Sequence, residues 1–257
     1  MIIDAHMHVG VWDHPGFLGR QCDMSDVIDV LAAAGVDGAA VLPTDQCDNA
    51  TLLEQTRGVI GDGFAGPLWF FAWARPVGEE SQGGIDLAWI DANIDSITGI
   101  KIHPSLSRER VTASCFAPAL ELAEAQELVV LVHCGRWQDI ASYRFAVEAA
   151  AQYPRARFLL AHAGGDTPTL ATAAAELVAS EGVDNVWFEF SGLREYWVIE
   201  RNVAKLGAER YLMGSDYCLA HPLMYVGAVR GMNLTDSEKA LILGGNAMAL
   251  FGDPVAP

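Results

Sequence analysis

The sequence predicts an α/β fold, a single-domain (β/α)8 TIM barrel over residues 1–257, and three observations support this. The chain has 257 residues, 51 % of them hydrophobic, so it matches one such barrel in size and can build a large core. Apolar, β-rich runs recur along it, most of them starting about 25 to 40 residues after the previous one, the length of a strand–helix–strand unit. These runs do not alternate between apolar and polar residues, which is typical of parallel strands buried on both faces.

Eight such runs are the predicted strands. They are residues 2–8, 38–43, 68–74, 98–103, 128–133, 157–162, 186–191 and 210–216. The segments between them are predicted to be helices. The first helix begins with a capping Ser25 or Asp26 and ends at Gly35. Near the end of the chain, Thr235 and Glu238 have the spacing of a capping box.

A GxGxxG pattern at Gly61, Gly63 and Gly66 is typical of an alternative fold, a doubly wound sheet with a dinucleotide site. Such a fingerprint follows a strand and opens a helix, whereas this one follows a predicted helix and precedes a strand. A doubly wound sheet also normally has fewer strands. We therefore interpret the three glycines as part of the turn that ends a helix.

Composition and charge exclude several classes of partner. The net charge of −17 argues against nucleic acids and anionic membranes, because both bind basic surfaces. We see no signal peptide and no apolar run long enough to cross a bilayer, so the expected location is the cytoplasm. The five cysteines form no CxxC pair and are expected to stay reduced. The expected partner is a small-molecule substrate, and a homodimer is left open.

The histidines carry the functional signal. His6 and His8 lie two residues apart in the first predicted strand and point to the same side, where they suit one metal ion or, alternatively, a solvated strand face. The other five end a predicted strand or lie in the loop that follows one: His14, His103, His133, His162 and His221. Asp216 also ends a strand. Because the carboxyl ends of the strands form the catalytic face of a TIM barrel, the pattern predicts a metal site there.

Five short motifs carry a family resemblance. They are "GIKIHP" (99–104), "HCG" (133–135), "HAGG" (162–165), "GSD" (214–216) and "LGGNAMALFG" (243–252). Together with the histidine pair on strand 1, they resemble the amidohydrolase superfamily, and within it the amidohydrolase-2 branch. That branch includes aminocarboxymuconate-semialdehyde decarboxylase and related metal-dependent hydrolases. The resemblance implies a (β/α)8 fold and one divalent metal ion, usually Zn²⁺.

The resemblance also implies roles for single residues. By analogy, the metal ligands would be His6, His8, His133 and Asp216. The catalytic residues would be His162, beside the metal-bound water, and again Asp216. In binuclear relatives a carboxylated lysine on strand 4 bridges two metals, but the single-metal branch is not expected to use its lysine in this way.

A further group of residues is expected to bind the substrate. Lys101 and His103 share one face of strand 4 and would contact it, with a buried ion pair as the alternative for Lys101. Arg75 and Arg136 would bind a substrate carboxylate in a fork geometry. Trp12 belongs to an aromatic rim that suits a planar or apolar organic acid. Surface ion pairs and loop packing are the alternatives for the arginines and for Trp12.

Four more side chains adjoin the predicted site. Glu189 and Ser191 end the seventh strand on one face and are either part of the site or satisfied residues of the barrel. Cys134 and Cys218 neighbour ligand positions but have no activating base on their own side, so we interpret both as packing residues.

These residues predict a metal-dependent hydrolase that opens an ester, lactone or amide of a small, carboxylate-bearing substrate through metal-activated water. The alternative is a non-oxidative decarboxylase of an unsaturated or aromatic carboxylic acid at the same site. The short connections leave little room for the lid elements of larger decarboxylases and favour hydrolysis. A catalytically silent metal-binding protein is disfavoured because every key position is present. A Schiff-base aldolase built on Lys101 would leave the histidines unexplained.

Overall fold

The computed structural model describes residues 1–75 and 87–256. Within them the strands are β1 (Ile3–Val11), β2 (Gln21–Cys22), β3 (Gly38–Pro43), β4 (Leu68–Trp73), β5 (Gly99–Ile102), β6 (Val129–Val132), β7 (Arg157–Leu160), β8 (Val186–Glu189) and β9 (Tyr211–Leu212). The α-helices are α1 (Met24–Ala34), α2 (Asn49–Gly61), α3 (Leu87–Ala92), α4 (Pro104–Ser107), α5 (Ala117–Gln126), α6 (Tyr143–Gln152), α7 (Pro168–Glu181), α8 (Trp197–Leu206), α9 (Pro222–Gly231), α10 (Asp236–Ala240) and α11 (Asn246–Phe251).

The strands form a curled, mostly parallel sheet in the order β2-β1-β3-β4-β5-β6-β7-β8-β9. All eight predicted runs are parallel strands of this sheet, so the predicted TIM-barrel fold is confirmed. The strands are buried on both faces, and every residue of β3 and β4 is buried. The short β2, which the sequence analysis did not predict, pairs antiparallel with the end of β1. Two residues are too few for a periodic pattern to reveal.

Residues 213–217 close the barrel by bonding to β1. The N–H of Ala5 donates to the carbonyl of Met213 at 2.9 Å, and the N–H of Asp216 donates to the carbonyl of His6 at 2.8 Å. This contact brings the end of the last predicted strand against the histidine-bearing part of the first strand. It therefore decides which side chains can meet at the barrel mouth.

Strands β4 to β9 end one to four residues earlier than predicted, and β7 and β9 end where the chain changes direction. β9 stops at Leu212 and β7 stops at Leu160, although the runs were predicted to reach residues 216 and 162. At both places the chain turns through a left-handed conformation, with φ of 58° at His162 and also at Asp216. The period-2 rule of a strand therefore does not describe where these two side chains point.

The first helix begins earlier than predicted. Its N-cap is Asp23, whose carboxylate accepts the N–H groups of Ser25 and Asp26, while the Asp26 carboxylate bonds back to the N–H of Asp23. The predicted cap, Ser25 or Asp26, was wrong because several residues with capping side chains follow one another and only the backbone geometry separates them. The predicted end at Gly35, with φ of 64°, is confirmed.

Other local predictions are confirmed as well. Thr235 and Glu238 form the capping box that opens α10. The GxGxxG pattern begins at Gly61, the last residue of α2, and lies before β4, so it belongs to a helix-ending turn. Among the described helices, none has both the length and the apolar character needed to cross a membrane.

Asp4 ties the closing segment to β1 from within the barrel. Its side chain is fully buried, and its Oδ1 accepts the N–H of His6 at 3.1 Å and the N–H of Ser215 at 3.0 Å. Burial raises the pKa of Asp4 to about 7, although the hydrogen bonds from Ser215 and His6 oppose the shift. The folded protein thus holds this proton to a higher pH than the unfolded chain, and stability from this group is lost as the pH rises from about 4 to about 7.

We expect Asp4→Asn to remove this pH dependence. The free energy of unfolding of the native chain, relative to the variant, should fall by up to about 4 kcal/mol between about pH 4 and pH 8, because roughly three pKa units separate the folded and unfolded carboxyl groups. Urea unfolding at several pH values, with a chelator present, measures the difference. Asp23→Asn is the control. Relative to this variant, the free energy of unfolding of the native chain should not fall with rising pH, because a hydrogen bond from Ser25 lowers the pKa of Asp23. A pH-independent difference for Asp4→Asn would contradict the prediction.

Candidate metal centre

The rings of His6 and His8 converge on one point inside the barrel. Both are buried, and their Nε2 atoms lie 3.0 Å apart. The Nδ1 of His6 lies 2.9 Å from the Glu189 carboxylate, and the Nδ1 of His8 lies 2.8 Å from the carbonyl of Pro43. Because a carboxylate and a carbonyl only accept hydrogen bonds, each Nδ1 carries the hydrogen and each Nε2 presents a lone pair. Burial lowers the pKa of both rings, which keeps them neutral.

Asp216 completes a cluster with these two histidines. Its Oδ1 lies 3.6 Å from Nε2 of His6 and 3.5 Å from Nε2 of His8. In the part of the chain that the structure describes, these residues form a group whose ligand atoms all lie within 4.8 Å of one another. Ligands bound at roughly 2.0–2.2 Å to a tetrahedral zinc ion would be about 3.3–3.6 Å apart, close to these distances. Facing lone pairs beside a carboxylate repel one another unless a cation lies among them, so this donor set fits a divalent ion.

Lys101 is a cationic side chain beside the same cluster. It extends from β5, is fully buried, and places its Nζ 3.1 Å from Nε2 of His6. Burial lowers the pKa of Lys101 to about 8, while the negative charges of Asp216 and Glu189 oppose the shift. Its Nζ thus lies within hydrogen-bond distance of the nitrogen of His6 that faces the cluster, so the structure places Lys101 beside the candidate site.

A second pair of histidines lies next to the cluster. The Nε2 of His162 is 3.1 Å from Nδ1 of His133, and the Nδ1 of His162 is 2.9 Å from the carbonyl of Ser191. Because the carbonyl only accepts, the Nδ1 of His162 carries the hydrogen and its Nε2 holds the lone pair. The rings of His162 and His6 have centroids 5.9 Å apart. His133 is outside the three-residue cluster, so its role as a ligand stays a prediction.

Three nearly parallel rings, Trp73, His103 and His133, form what we call the ring wall. The first two rings have centroids 5.7 Å apart with planes 5° apart, and the second and third have centroids 3.9 Å apart with planes 12° apart. Trp12 contacts the cluster separately, with its ring 4.8 Å from that of His8. Aromatic surfaces of this kind bind flat organic groups by stacking and by burial of apolar area.

Residues 3–252 match the family model of the amidohydrolases. The chain belongs to this family. Its fold is similar to that of 5-carboxyvanillate decarboxylase LigW from Sphingomonas paucimobilis, with a TM-score of 0.70, 15 % identity, and coverage of 97 % of this chain and 98 % of that chain. The fold is also similar to that of a proposed 2-pyrone-4,6-dicarboxylic acid hydrolase from Pseudomonas putida, with a TM-score of 0.72, 19 % identity, and coverage of 98 % of this chain and 97 % of that chain. A third similar structure is an amidohydrolase from Burkholderia multivorans with bound zinc, with a TM-score of 0.72, 18 % identity, and coverage of 99 % of this chain and 100 % of that chain. The curated proteins include no significant match.

The two arginines that were predicted to bind a carboxylate differ in their surroundings in this amidohydrolase. Arg75 donates to the carbonyl of Thr44 at 3.1 Å, and its guanidinium lies 5.3 Å from the centre of the Trp73 ring. Arg136 has a side chain that is 72 % exposed, and its Nε lies 2.9 Å from Oδ2 of Asp166. Arg75 therefore touches the ring wall, whereas Arg136 forms an ion pair near the surface.

Glu189, which the sequence analysis assigned either to the site or to the barrel, lies behind His6 at the candidate site. It is fully buried, and the same carboxylate oxygen that faces His6 also accepts the backbone N–H of His162 at 3.0 Å. A single charged residue within the apolar run "VWFEFS" was the sequence signal that pointed to it. Its partners could not be read from the sequence, because one of them lies 183 positions away.

The last two histidines have local roles. The Nδ1 of His14 accepts the N–H of Gly16, and the Nδ1 of His221 accepts the N–H of Leu223, so each caps the helical turn that follows it. Both are exposed. They follow strands, as the sequence predicted, but they do not join the cluster.

We expect the amidohydrolase to bind one divalent ion per chain, and we expect His8→Ala to lose most of this metal because it removes one of the two converging lone pairs. Elemental analysis of protein purified without chelators measures the content, and competition with a chromophoric chelator measures the affinity for Zn²⁺. His14→Ala is the matched control and should bind zinc like the native chain. Equal zinc affinity in His8→Ala and the native chain would contradict the site.

Proposed function

We propose that this amidohydrolase is a metal-dependent hydrolase of a small, carboxylate-bearing ester, lactone or amide. One observation carries the proposal: the Nε2 atoms of two histidines and a carboxylate oxygen converge on one point. A third histidine, His162, lies beside them and bonds through Nδ1 to the carbonyl of Ser191, which leaves the lone pair on its Nε2, next to His133. Such a constellation suits hydrolysis by activated water with a neighbouring base.

The proposed metal ligands are His6, His8 and Asp216, with His133 as the fourth ligand that the family resemblance implies. A bound divalent ion supplies hydroxide at neutral pH, since it lowers the pKa of water from about 15.7 to about 7. The zinc in the similar amidohydrolase from Burkholderia multivorans supports Zn²⁺ as the ion.

His162 is the proposed general base. The hydrogen bond from its Nδ1 to the carbonyl of Ser191 keeps the lone pair on Nε2, which can take a proton from the attacking water. The same hydrogen bond would hold the protonated ring in place while it returns the proton to the leaving group. Asp216 would accept a hydrogen bond from the water through its other oxygen and orient the attack.

The proposed substrate is flat and anionic. The ring wall and Trp12, whose ring lies beside that of His8, place several aromatic rings next to the cluster, and aromatic rings suit a flat substrate. Lys101 lies within the site and Arg75 at the ring wall, so both could bind a substrate carboxylate. Arg136 would join them only by exchanging its partner Asp166 for the substrate.

A non-oxidative decarboxylase is the second candidate. The ring wall would suit an aromatic acid equally well, and the buried ammonium of Lys101 could stabilise negative charge that develops when carbon dioxide leaves. The similarity to a 5-carboxyvanillate decarboxylase supports this candidate, and the similarity to a proposed pyrone dicarboxylate hydrolase supports the first.

One assay separates the two candidates. Zinc-loaded protein would be tested on two matched panels, lactones and esters of unsaturated or aromatic dicarboxylic acids, and the corresponding free acids. For the hydrolase we expect acid to be released from the lactones and esters, as measured with a pH indicator, and no carbon dioxide to be released from the free acids. Carbon dioxide from the free acids would reverse the assignment, and activity on neither panel would count against both candidates.

We expect His162→Ala to lose turnover by about 10²- to 10⁴-fold while it keeps its zinc, because the residue is proposed as a base and not as a ligand. Zinc affinity and turnover should be measured on one preparation. His221→Ala, which removes an exposed histidine outside the cluster, is the control. Zinc and activity lost in parallel would identify His162 as a ligand instead.

A further inference from the structure

Glu189, at the end of β8, makes four hydrogen bonds: one with the ring of His6, one with the backbone of His162 and two with Ser191. Its Oε1 accepts Nδ1–H of His6 at 2.9 Å, the backbone N–H of His162 at 3.0 Å and the hydroxyl of Ser191 at 3.0 Å. Its Oε2 accepts the backbone N–H of Ser191 at 2.8 Å. The carboxylate is therefore fully engaged by donors.

The contact with His6 fixes a tautomer. Because Glu189 takes the hydrogen on Nδ1, the lone pair of His6 must lie on Nε2, which is the nitrogen that faces His8 and Asp216. With the opposite tautomer, Nε2 would carry a hydrogen and could not bind an ion. A carboxylate behind a ligand histidine also makes the ring a stronger donor to the metal.

The contacts with His162 fix the position of the proposed base. The chain adopts a left-handed backbone conformation at His162 and at Ala163, with φ of 58° and 55°. This conformation is costly for residues with a side chain. The bond from the His162 N–H to Glu189 helps to hold this turn. The hydroxyl of Ser191, which donates to Glu189, also lies 3.0 Å from Nδ1 of His162.

The barrel leaves room for this carboxylate. A Cβ atom built on Gly214 would lie 2.4 Å from Oε2 of Glu189, so a side chain at that position would displace it. Each of its two oxygens accepts a backbone N–H, which can only donate: Oε1 that of His162 and Oε2 that of Ser191. The group therefore acts as an acceptor through both oxygens.

We propose that Glu189 is a positioning residue that sets both the metal-binding tautomer of His6 and the orientation of His162, so that one buried carboxylate prepares the ligand and the base together. This inference rests on the proposed function for the roles of the two histidines. The contacts of Glu189 with them stand independently of those roles.

Zinc affinity tests the first half of the proposal. Glu189→Gln keeps the shape but replaces one accepting oxygen by a donating amide, so zinc binding, measured by chelator competition, should weaken by about 10- to 100-fold. Asp4→Asn is the matched control, because Asp4 is also a buried carboxylate near His6, but its hydrogen bonds come from Ser215 and from the backbone N–H of His6 rather than from a histidine ring. Its zinc affinity should stay within about threefold of the native value. A loss below tenfold in Glu189→Gln, or an equal loss in both variants, would overturn the proposal.

The tautomers of the histidines test the role of Glu189 without metal and without substrate. Long-range ¹H–¹⁵N NMR of histidine-labelled, zinc-free protein should show Nδ1–H for His6 and His162 in the native chain, with the signals assigned by single His→Ala variants. In Glu189→Leu, which offers His6 no acceptor, the Nδ1–H form of His6 should no longer dominate. An Nε2–H form of His6 in the native chain would overturn the proposal even if the variant failed to fold. If the native chain bound no zinc, the proposed function would fail, while the tautomers would still decide the role of Glu189.

Discussion

The bonding of β1 to residues 213–217 is the constraint on which the rest of the site depends. Parallel strands contact their neighbours through regular hydrogen bonds, but this last contact consists of separate bonds such as those of Ala5 with Met213 and Asp216 with His6. It closes the barrel and, in the same step, brings the Asp216 carboxylate to within 3.6 Å of two imidazole rings. Closure of the fold and assembly of the cluster are therefore one event.

The site is costly to fold because it concentrates buried polar groups. Polar groups lose free energy on burial unless they find hydrogen-bond partners. The outward-facing nitrogens have such partners: Nδ1 of His6 binds Glu189, Nδ1 of His8 binds Pro43, and Nδ1 of His162 binds Ser191. The inward-facing lone pairs of His6 and His8 face each other instead. This division between satisfied outer atoms and opposed inner atoms is what a binding site for a cation requires.

Barrels of this kind support different reactions because the fold positions the site without defining the substrate. Proteins with decarboxylase and hydrolase names share this fold over nearly the whole chain. In the proposed function, the groups that would distinguish substrates lie around the cluster: the ring wall, Trp12, Lys101 and Arg75. Under either proposal the reaction would depend on how these groups hold an acid or its ester, because a bound metal ion suits both chemistries.

The sequence by itself determined the eight parallel strands and the shared direction of His6 and His8, because apolar runs and a period of two are local properties of the chain. It also indicated that Asp216 and His162 follow strands at one end of the barrel. Only the tertiary structure decided the partners. The contact of Glu189 with His6 spans 183 positions, and no local pattern reports it. The left-handed turns at His162 and Asp216, the pairing of His133 with His162 and the cap at Asp23 were likewise set by backbone geometry and by neighbours that come together only when the barrel closes. Periodicity tells which side of a strand a residue faces, but contact between distant strands decides which atoms meet there.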